Sequence, residues 1–141
     1  MPSNPLIGTW RLQSWENRSI DGQVSYPFGQ DALGYIMYQQ DGYMFVVIMR
    51  PHRAPFSVGD LLRGSTAEKV AAAESYVCYC GRYEYQGDKV IYHIELSLFP
   101  NWVGSDQQRF VELTGDRLVL STPPLLLEGK QQTAHLVWER V

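Results

Sequence analysis

The chain has 141 residues, 45% of them hydrophobic and 19% charged, the make-up of one soluble globular domain with room for a sizeable core. A formal charge of −3, a pI near 5.5 and no basic run exclude a phosphate-backbone binder, which needs clustered Lys and Arg. No stretch approaches the roughly 18 apolar residues of a membrane-spanning helix, so no membrane partner is expected.

The N-terminal MPSNPLIG lacks a basic n-region and an apolar h-region, and predicts no secretory leader. TWRLQSWEN, 9–17, is the first candidate strand. Residues 18–33 form a Gly-punctuated connection with a short extended piece near Val24–Phe28. GYIMYQQ-DG-YMFVVIM, 34–49, reads as a hairpin, with Asp41-Gly42 supplying the positive φ of a tight turn. Residues 57–75 break the strand pattern. There Ser57 and Asp60 predict the cap of a short helix, and Ser65 with Glu68 a capping box ahead of an alanine-rich turn or two. YVCYCGRYEYQ-GD-KVIYHIELS, 76–97, and DQQRFVELT-GD-RLVLST, 106–122, are further hairpins, and QTAHLVWERV closes the chain. The fold class expected is all-β: one domain, 1–141, an antiparallel meander barrel of about eight to ten strands with a short helical insertion near 57–75. An eight-strand barrel is filled by side chains or holds one small ligand.

Hairpin 76–97 divides sharply by face. A two-residue Gly87-Asp88 turn pairs Tyr85 with Val90, Tyr83 with Tyr92, Gly81 with Ile94 and Tyr79 with Leu96 on one side. The other side pairs Glu84 with Ile91, Arg82 with His93, Cys80 with Glu95 and Cys78 with Ser97. Either face could be the inner one. With the aromatic face inside, Arg82, His93 and Glu95 are ordinary solvated cross-strand pairs; with the ladder inside, they form a candidate acid–base set. In hairpin 34–49 a two-residue turn puts Tyr38 with Phe45 and Ile36 with Val47 on one face, Met37 with Val46 and Tyr35 with Ile48 on the other. Both faces are apolar, which predicts an outer cover, the short helix or a second copy of the chain in a homodimer. In the third hairpin Arg109 shares a face with Val111, Leu113, Leu118 and Leu120, near the barrel end or toward a cavity.

Aromatic residues make up 13% of the chain and suit pocket walls. The expected ligand-binding set is Tyr38, Phe45, Tyr79, Tyr83, Tyr92, Trp102, Arg109 and Trp138; Trp102 in LFPNWVG, 98–104, either gates a rim or packs beneath its loop. The segment 50–64, with Arg50, His52 and Arg53, is long enough for a lid, or is a solvated crossover. Cys78 and Cys80 lie two apart in a strand, roughly 6.5–7 Å between Cα atoms, at or past the limit for a disulfide. That predicts a reduced, cytoplasmic protein. Their spacing does not fit a zinc pair, and no phosphate loop or nucleophile elbow occurs, so neither metal nor cofactor is expected.

GTW (8–10), DGYM (41–44), YCGRYE (79–84), FPNWVG (99–104), GDRLVL (115–120) and LVWERV (136–141) together resemble the small bacterial and fungal lipocalin-like domain family, nearly end to end and in order. The resemblance implies a calycin-type barrel with an internal cavity, often encoded beside polyketide and other natural-product pathways. It also implies that Trp10 packs against Arg140 to close one end; alternation independently points Arg140 inward with Leu136 and Trp138. Intracellular fatty-acid-binding proteins are similar at both termini but carry a helical pair after the first strand that is missing here. Related barrels include carriers and cofactor-free enzymes. The first expectation is therefore a barrel binding a small apolar or aromatic metabolite. A cyclase, isomerase or dehydratase using His93, Glu95 and Arg82 is the alternative, and a structural module with a filled barrel the second.

Overall fold

The computed structural model describes residues 3–141; Met1 and Pro2, the start of the N-terminal stretch read above, lie outside them. Ten strands are present: β1 (Gly8–Ser19), β2 (Val24–Ser25), β3 (Leu33–Tyr38), β4 (Tyr43–Met49), β5 (Tyr76–Tyr85), β6 (Lys89–Ser97), β7 (Asp106–Thr114), β8 (Arg117–Ser121), β9 (Leu125–Leu127) and β10 (Lys130–Arg140). They form one antiparallel sheet in the order β2-β1-β3-β4-β5-β6-β7-β8-β10-β9, and β1 also pairs with β10. That pairing closes eight strands into a barrel, removes their free edges, and leaves β2 and β9 as extensions. One helix, α1 (Thr66–Glu74), links β4 to β5. Among the described residues no helix is long and apolar enough to cross a membrane.

Alternation sets which side chains enter the barrel. Met44, Val46 and Ile48 of β4 and Val90, Tyr92 and Ile94 of β6 are buried, as are Trp10, Ile36, Leu118, Leu120 and Trp138. The hairpin of β3 and β4 differs from the expected pairing. Gln39 N–H donates to the Tyr43 carbonyl at 2.8 Å, Gly42 N–H donates to the Gln39 carbonyl at 3.2 Å, and Gly42 has φ 91°. The loop therefore has three residues, with glycine at the left-handed position. The extra residue moves the register by one, so Tyr38 opposes Met44 and Ile36 opposes Val46, while Phe45 opposes Met37. Tyr38 and Phe45 thus do not share a face: Tyr38 is 1% exposed and Phe45 is 42% exposed.

The Gly87-Asp88 and Gly115-Asp116 turns give the expected pairs Tyr83–Tyr92, Gly81–Ile94, Leu113–Leu118 and Val111–Leu120. Beyond Gly81 a bulge intervenes, and Cys80 opposes Leu96 while Tyr79 opposes Ser97, in place of the expected Cys80–Glu95, Tyr79–Leu96 and Cys78–Ser97 pairs. Gly81 is required there. A Cβ on it would sit 2.0 Å from the His93 carbonyl oxygen of the neighbouring strand.

Helix α1 starts as the capping box predicts: Ser65 Oγ accepts from Glu68 N–H at 3.1 Å, and Glu68 Oε1 accepts from Ser65 N–H at 2.9 Å. The second helix start at Ser57 is absent, and residues 57–64 are turns and bends. Ser57 N–H instead donates to Glu68 Oε2 at 2.7 Å, and Asp60 closes a local turn by accepting from Leu62 N–H at 2.9 Å. Arg53 finishes the helix, donating to the Ala72 carbonyl at 2.9 Å and Ser75 Oγ at 3.0 Å while lying over the Tyr76 ring. Arg50 donates to the Pro27 carbonyl at 2.7 Å. These arginines secure the crossover. The helix packs against β5 and leaves Tyr35, Tyr43 and Phe45 exposed on the outer wall, so it does not cover the first hairpin.

One barrel end is closed. Trp10 and Arg140 are directly opposite across β1 and β10, with the guanidinium carbon 4.2 Å from the Trp10 ring centroid. Arg140 also donates to the carbonyls of Pro5 at 2.8 Å and Ile7 at 2.9 Å, and Trp10 Nε1 donates to the Leu6 carbonyl at 2.8 Å. The N-terminal segment is thereby tied across the opening.

Candidate functional site

Inward positions of β3, β5 and β6 and one loop residue build a column of aromatic rings. From the loop end, Trp102 meets Tyr79 edge-on at 5.3 Å between centroids, Tyr79 meets Tyr92 at 6.0 Å, Tyr92 meets Tyr38 at 6.3 Å and Tyr38 meets Tyr83 at 5.0 Å. Trp102 belongs to a single turn of 3-10 helix, Pro100–Trp102, where Pro100 starts the turn, and Phe99 packs on its outer side. The Tyr38 and Tyr92 hydroxyls hydrogen-bond to each other. The Tyr83 hydroxyl donates to the Gln39 carbonyl at 2.8 Å and accepts from Asn4 Nδ2 at 2.9 Å. Burial, above all, pushes the Tyr38 and Tyr92 phenols upward, so both are neutral hydrogen-bonding groups at neutral pH.

Arg109 enters this column from β7. It is 5% exposed, and its guanidinium lies 5.7 Å from the Tyr92 ring centroid and 5.8 Å from that of Trp102. It donates to the Gln108 carbonyl at 3.0 Å and to the Tyr79 hydroxyl at 3.5 Å. None of the ion pairs among the described residues includes it. A buried cation held only by neutral acceptors and ring faces carries a desolvation penalty of several kcal/mol, against roughly 2 kcal/mol or more from cation–π contact in a desolvated setting. A second donor is stranded in the core cluster: Trp138 Nε1 is buried without an acceptor among the described residues. Leaving such a group unpaired costs about 1–3 kcal/mol.

The structure brings together Tyr38, Tyr79, Tyr83, Tyr92, Trp102 and Arg109, and puts Trp138 in the same core. Phe45 is excluded by the shifted register. Arg82, His93 and Glu95 lie on the outer wall: the Arg82 guanidinium rests over Tyr43, Glu95 is exposed, and the His93 side chain is 38% exposed. The ladder therefore does not face the barrel interior. His93 bonds instead to Asp106 through Nδ1 at 2.7 Å and to Glu84 through Nε2 at 2.9 Å. Those two bonds, Asp106 first, raise its pKa above the ordinary histidine value.

Sequence reasoning missed Trp15 and Asn17. A register shift between Leu12 and Ser14 reverses the alternation in β1, so Trp15 and Asn17 line up with Leu136 and Ala134 of the inner face. Trp15 packs edge-on against Phe28 at 4.9 Å and donates to Asn17 Oδ1 at 2.9 Å. The aromatic character of Trp15 on an otherwise polar face was the available signal. Three concavities of comparable size have neither Arg109 nor any ring of the column in their linings. One of about 550 Å³ is an apolar groove on the outer wall bordered by Met37, Tyr43, Phe45, Cys80 and Leu96. Another, of about 580 Å³, separates residues 50–55 from α1. A third, of about 560 Å³, sits beside the β7–β8 turn.

A closed antiparallel barrel with an aromatic interior and an Arg–Trp latch defines a lipocalin-like protein. The lipocalin-like domain family matches residues 7–141, and the chain belongs to it. It is 34% identical over 107 residues to the 4'-hydroxy-3'-methoxypropiophenone carrier protein of Aspergillus oryzae, a match spanning 70% of this chain and 96% of that one. A lipocalin-like protein from Bacteroides uniformis shares the fold at a TM-score of 0.51 and 14% identity, covering 98% of this chain and 100% of that one. A Bacteroides eggerthii protein aligns at a TM-score of 0.49 and 17% identity, over 96% and 99% of the two chains.

Proposed function

We propose that this protein binds and carries a small aromatic metabolite inside its barrel. One observation carries the reading: an interior of edge-on and tilted aromatic rings holds a buried arginine that has no counter-charge among the described residues. The stranded Trp138 N–H, on a side chain of the same core cluster, is a second unpaired donor among the described residues. Burying such groups opposes folding, and a bound molecule with acceptor oxygens offsets that opposition. The Aspergillus oryzae relative is named for carrying an aryl ketone with hydroxyl and methoxy substituents, a molecule of this kind. A carrier role also fits the placement of Arg82, His93 and Glu95 on the outer wall, which leaves no histidine or carboxylate among the aromatic side chains named above to move a proton. Native mass spectrometry of the purified protein tests the reading. A co-purified small molecule, or a 1:1 complex formed on adding 4'-hydroxy-3'-methoxypropiophenone, is the expected result.

A second reading has its own support. The column rings sit at packing distance from one another, as in a barrel filled by its own side chains. That reading predicts bare protein mass with every aromatic probe. The apolar outer wall of β3 to β6, with Tyr35, Phe45 and Leu96 exposed, is the surface a homodimer would cover, and light scattering reads its occupancy as a doubled mass.

A further inference from the structure

We infer that the occupant of the barrel carries an anionic oxygen, a carboxylate or an ionised phenol, and that Arg109 is the group that holds it. The inference rests on the binding-barrel reading above and adds the chemistry of the ligand. Among the described residues, the hydrogen-bond and ring partners of the Arg109 guanidinium are all neutral: the faces of Tyr92 and Trp102, the Tyr79 hydroxyl and the Gln108 carbonyl. The carboxylates Asp106 and Glu112 of the same strand, and Glu84 of β5, are exposed on the outer wall, and His93 already engages Glu84 and Asp106. No movement of a side chain along one strand brings them through the sheet, because alternation fixes their side.

The geometry also says how an anion would be held. Aromatic faces flank the guanidinium, so its donors are directed along its edge. A planar donor fork of this kind matches a carboxylate with two parallel bonds, and a phenolate with one short one. The Tyr79 hydroxyl accepts from Arg109, which leaves its own proton free to donate to the same ligand oxygen. The aromatic body of the ligand then lies against Trp102 and Tyr92. In a site shielded from water, such a charge pair is little weakened by salt.

The test is a matched pair of probes, 4-hydroxy-3-methoxybenzoate and its primary amide, which share a ring and differ in charge. Calorimetric titration of the wild-type protein should give the carboxylate roughly tenfold to hundredfold tighter binding. Arg109→Met should reduce that preference to within about twofold, with the carboxylate losing more affinity than the amide. Arg109→Lys, which keeps the charge but loses the fork, should retain part of the preference and stands in should the methionine variant fail to fold. Equal affinity of the two probes for the wild type, with no gain in the amide's affinity as its phenol ionises at raised pH, overturns the anion assignment and leaves the carrier reading standing. A preference that survives unchanged in both variants overturns the assignment to Arg109. Failure of both probes to bind overturns the anion assignment, and the carrier reading falls with it only if 4'-hydroxy-3'-methoxypropiophenone also fails to bind.

Discussion

Replacing Arg140 by methionine isolates the latch that closes the barrel. Methionine keeps an apolar stem over Trp10 and removes the charge with its donors. Arg140 makes two charge-assisted bonds, to the Pro5 and Ile7 carbonyls, and a cation–π contact at 4.2 Å on a fully buried indole. Bonds of that kind are worth about 1.5–3 kcal/mol each, and the cation–π contact about 0.5–2 kcal/mol. The side chain is 32% exposed and its pairing with Asp116, 78% exposed, adds little, so the low end applies. The expected loss is about 3 kcal/mol, or a fall in Tm of roughly 10 °C for a domain of this size. Urea unfolding followed by tryptophan fluorescence measures the first and scanning calorimetry the second. In a double-mutant cycle with Trp10→Leu, the coupling should be about 1 kcal/mol. A loss below about 1 kcal/mol, or strict additivity in the cycle, refutes the latch.

Gly81→Ala should destabilise the fold by about 3 kcal/mol or more, since the new methyl meets the His93 carbonyl oxygen at 2.0 Å, whereas Gly87→Ala, with open space at φ 91°, should cost only about 1 kcal/mol; comparable urea midpoints for the two would contradict the bulge geometry. His93 has a folded pKa raised by Asp106 and Glu84, so its contribution is fully present below about pH 6.5, its unfolded value, and is lost as pH rises through the folded pKa. His93→Gln should therefore lower stability at pH 5.5 more than at pH 8.5, and an equal loss at both ends that account. Arg109→Met should raise the Tm of the ligand-free protein, because a buried charge without a partner gives way to apolar packing; a clear fall in Tm would show that the ring contacts outweigh desolvation.

The sheet was legible because its hairpins alternate cleanly. Gly87-Asp88 and Gly115-Asp116 are two-residue turns, and counting outward from them groups Tyr83 with Tyr92 on one face and Arg109 with Leu120 on another, while the closed barrel decides that these faces point inward. Failures occurred where one residue was inserted. Asp41-Gly42 looks the same in sequence, yet the loop there takes Gln40 as well, and the shift of one residue carries Phe45 outside. The shift after Leu12 brought Trp15 inside by the same arithmetic. Short-range turn chemistry does not distinguish two-residue from three-residue loops when both need glycine in the left-handed region. For the candidate site, alternation grouped Tyr79, Tyr83 and Tyr92 on one face, but it misplaced Phe45, and the isolation of Arg109 did not follow from it. Knowing that no carboxylate reaches it requires the closed sheet, which puts Glu84, Asp106 and Glu112 on the other side of the wall. The short stretch 57–64 misled because Ser57 and Asp60 are equally good at ending turns and starting helices, and here the Glu68 carboxylate holds Ser57.

The central claim is that a small aromatic molecule resides inside the barrel against Arg109. A crystal structure of the protein with 4'-hydroxy-3'-methoxypropiophenone bound tests it most directly. The account predicts the ring among Tyr79, Tyr92 and Trp102, with an oxygen of the molecule at hydrogen-bond distance from the Arg109 guanidinium. Density for the molecule in the outer groove beside Met37, Phe45 and Leu96, with the interior rings unmoved, would contradict it.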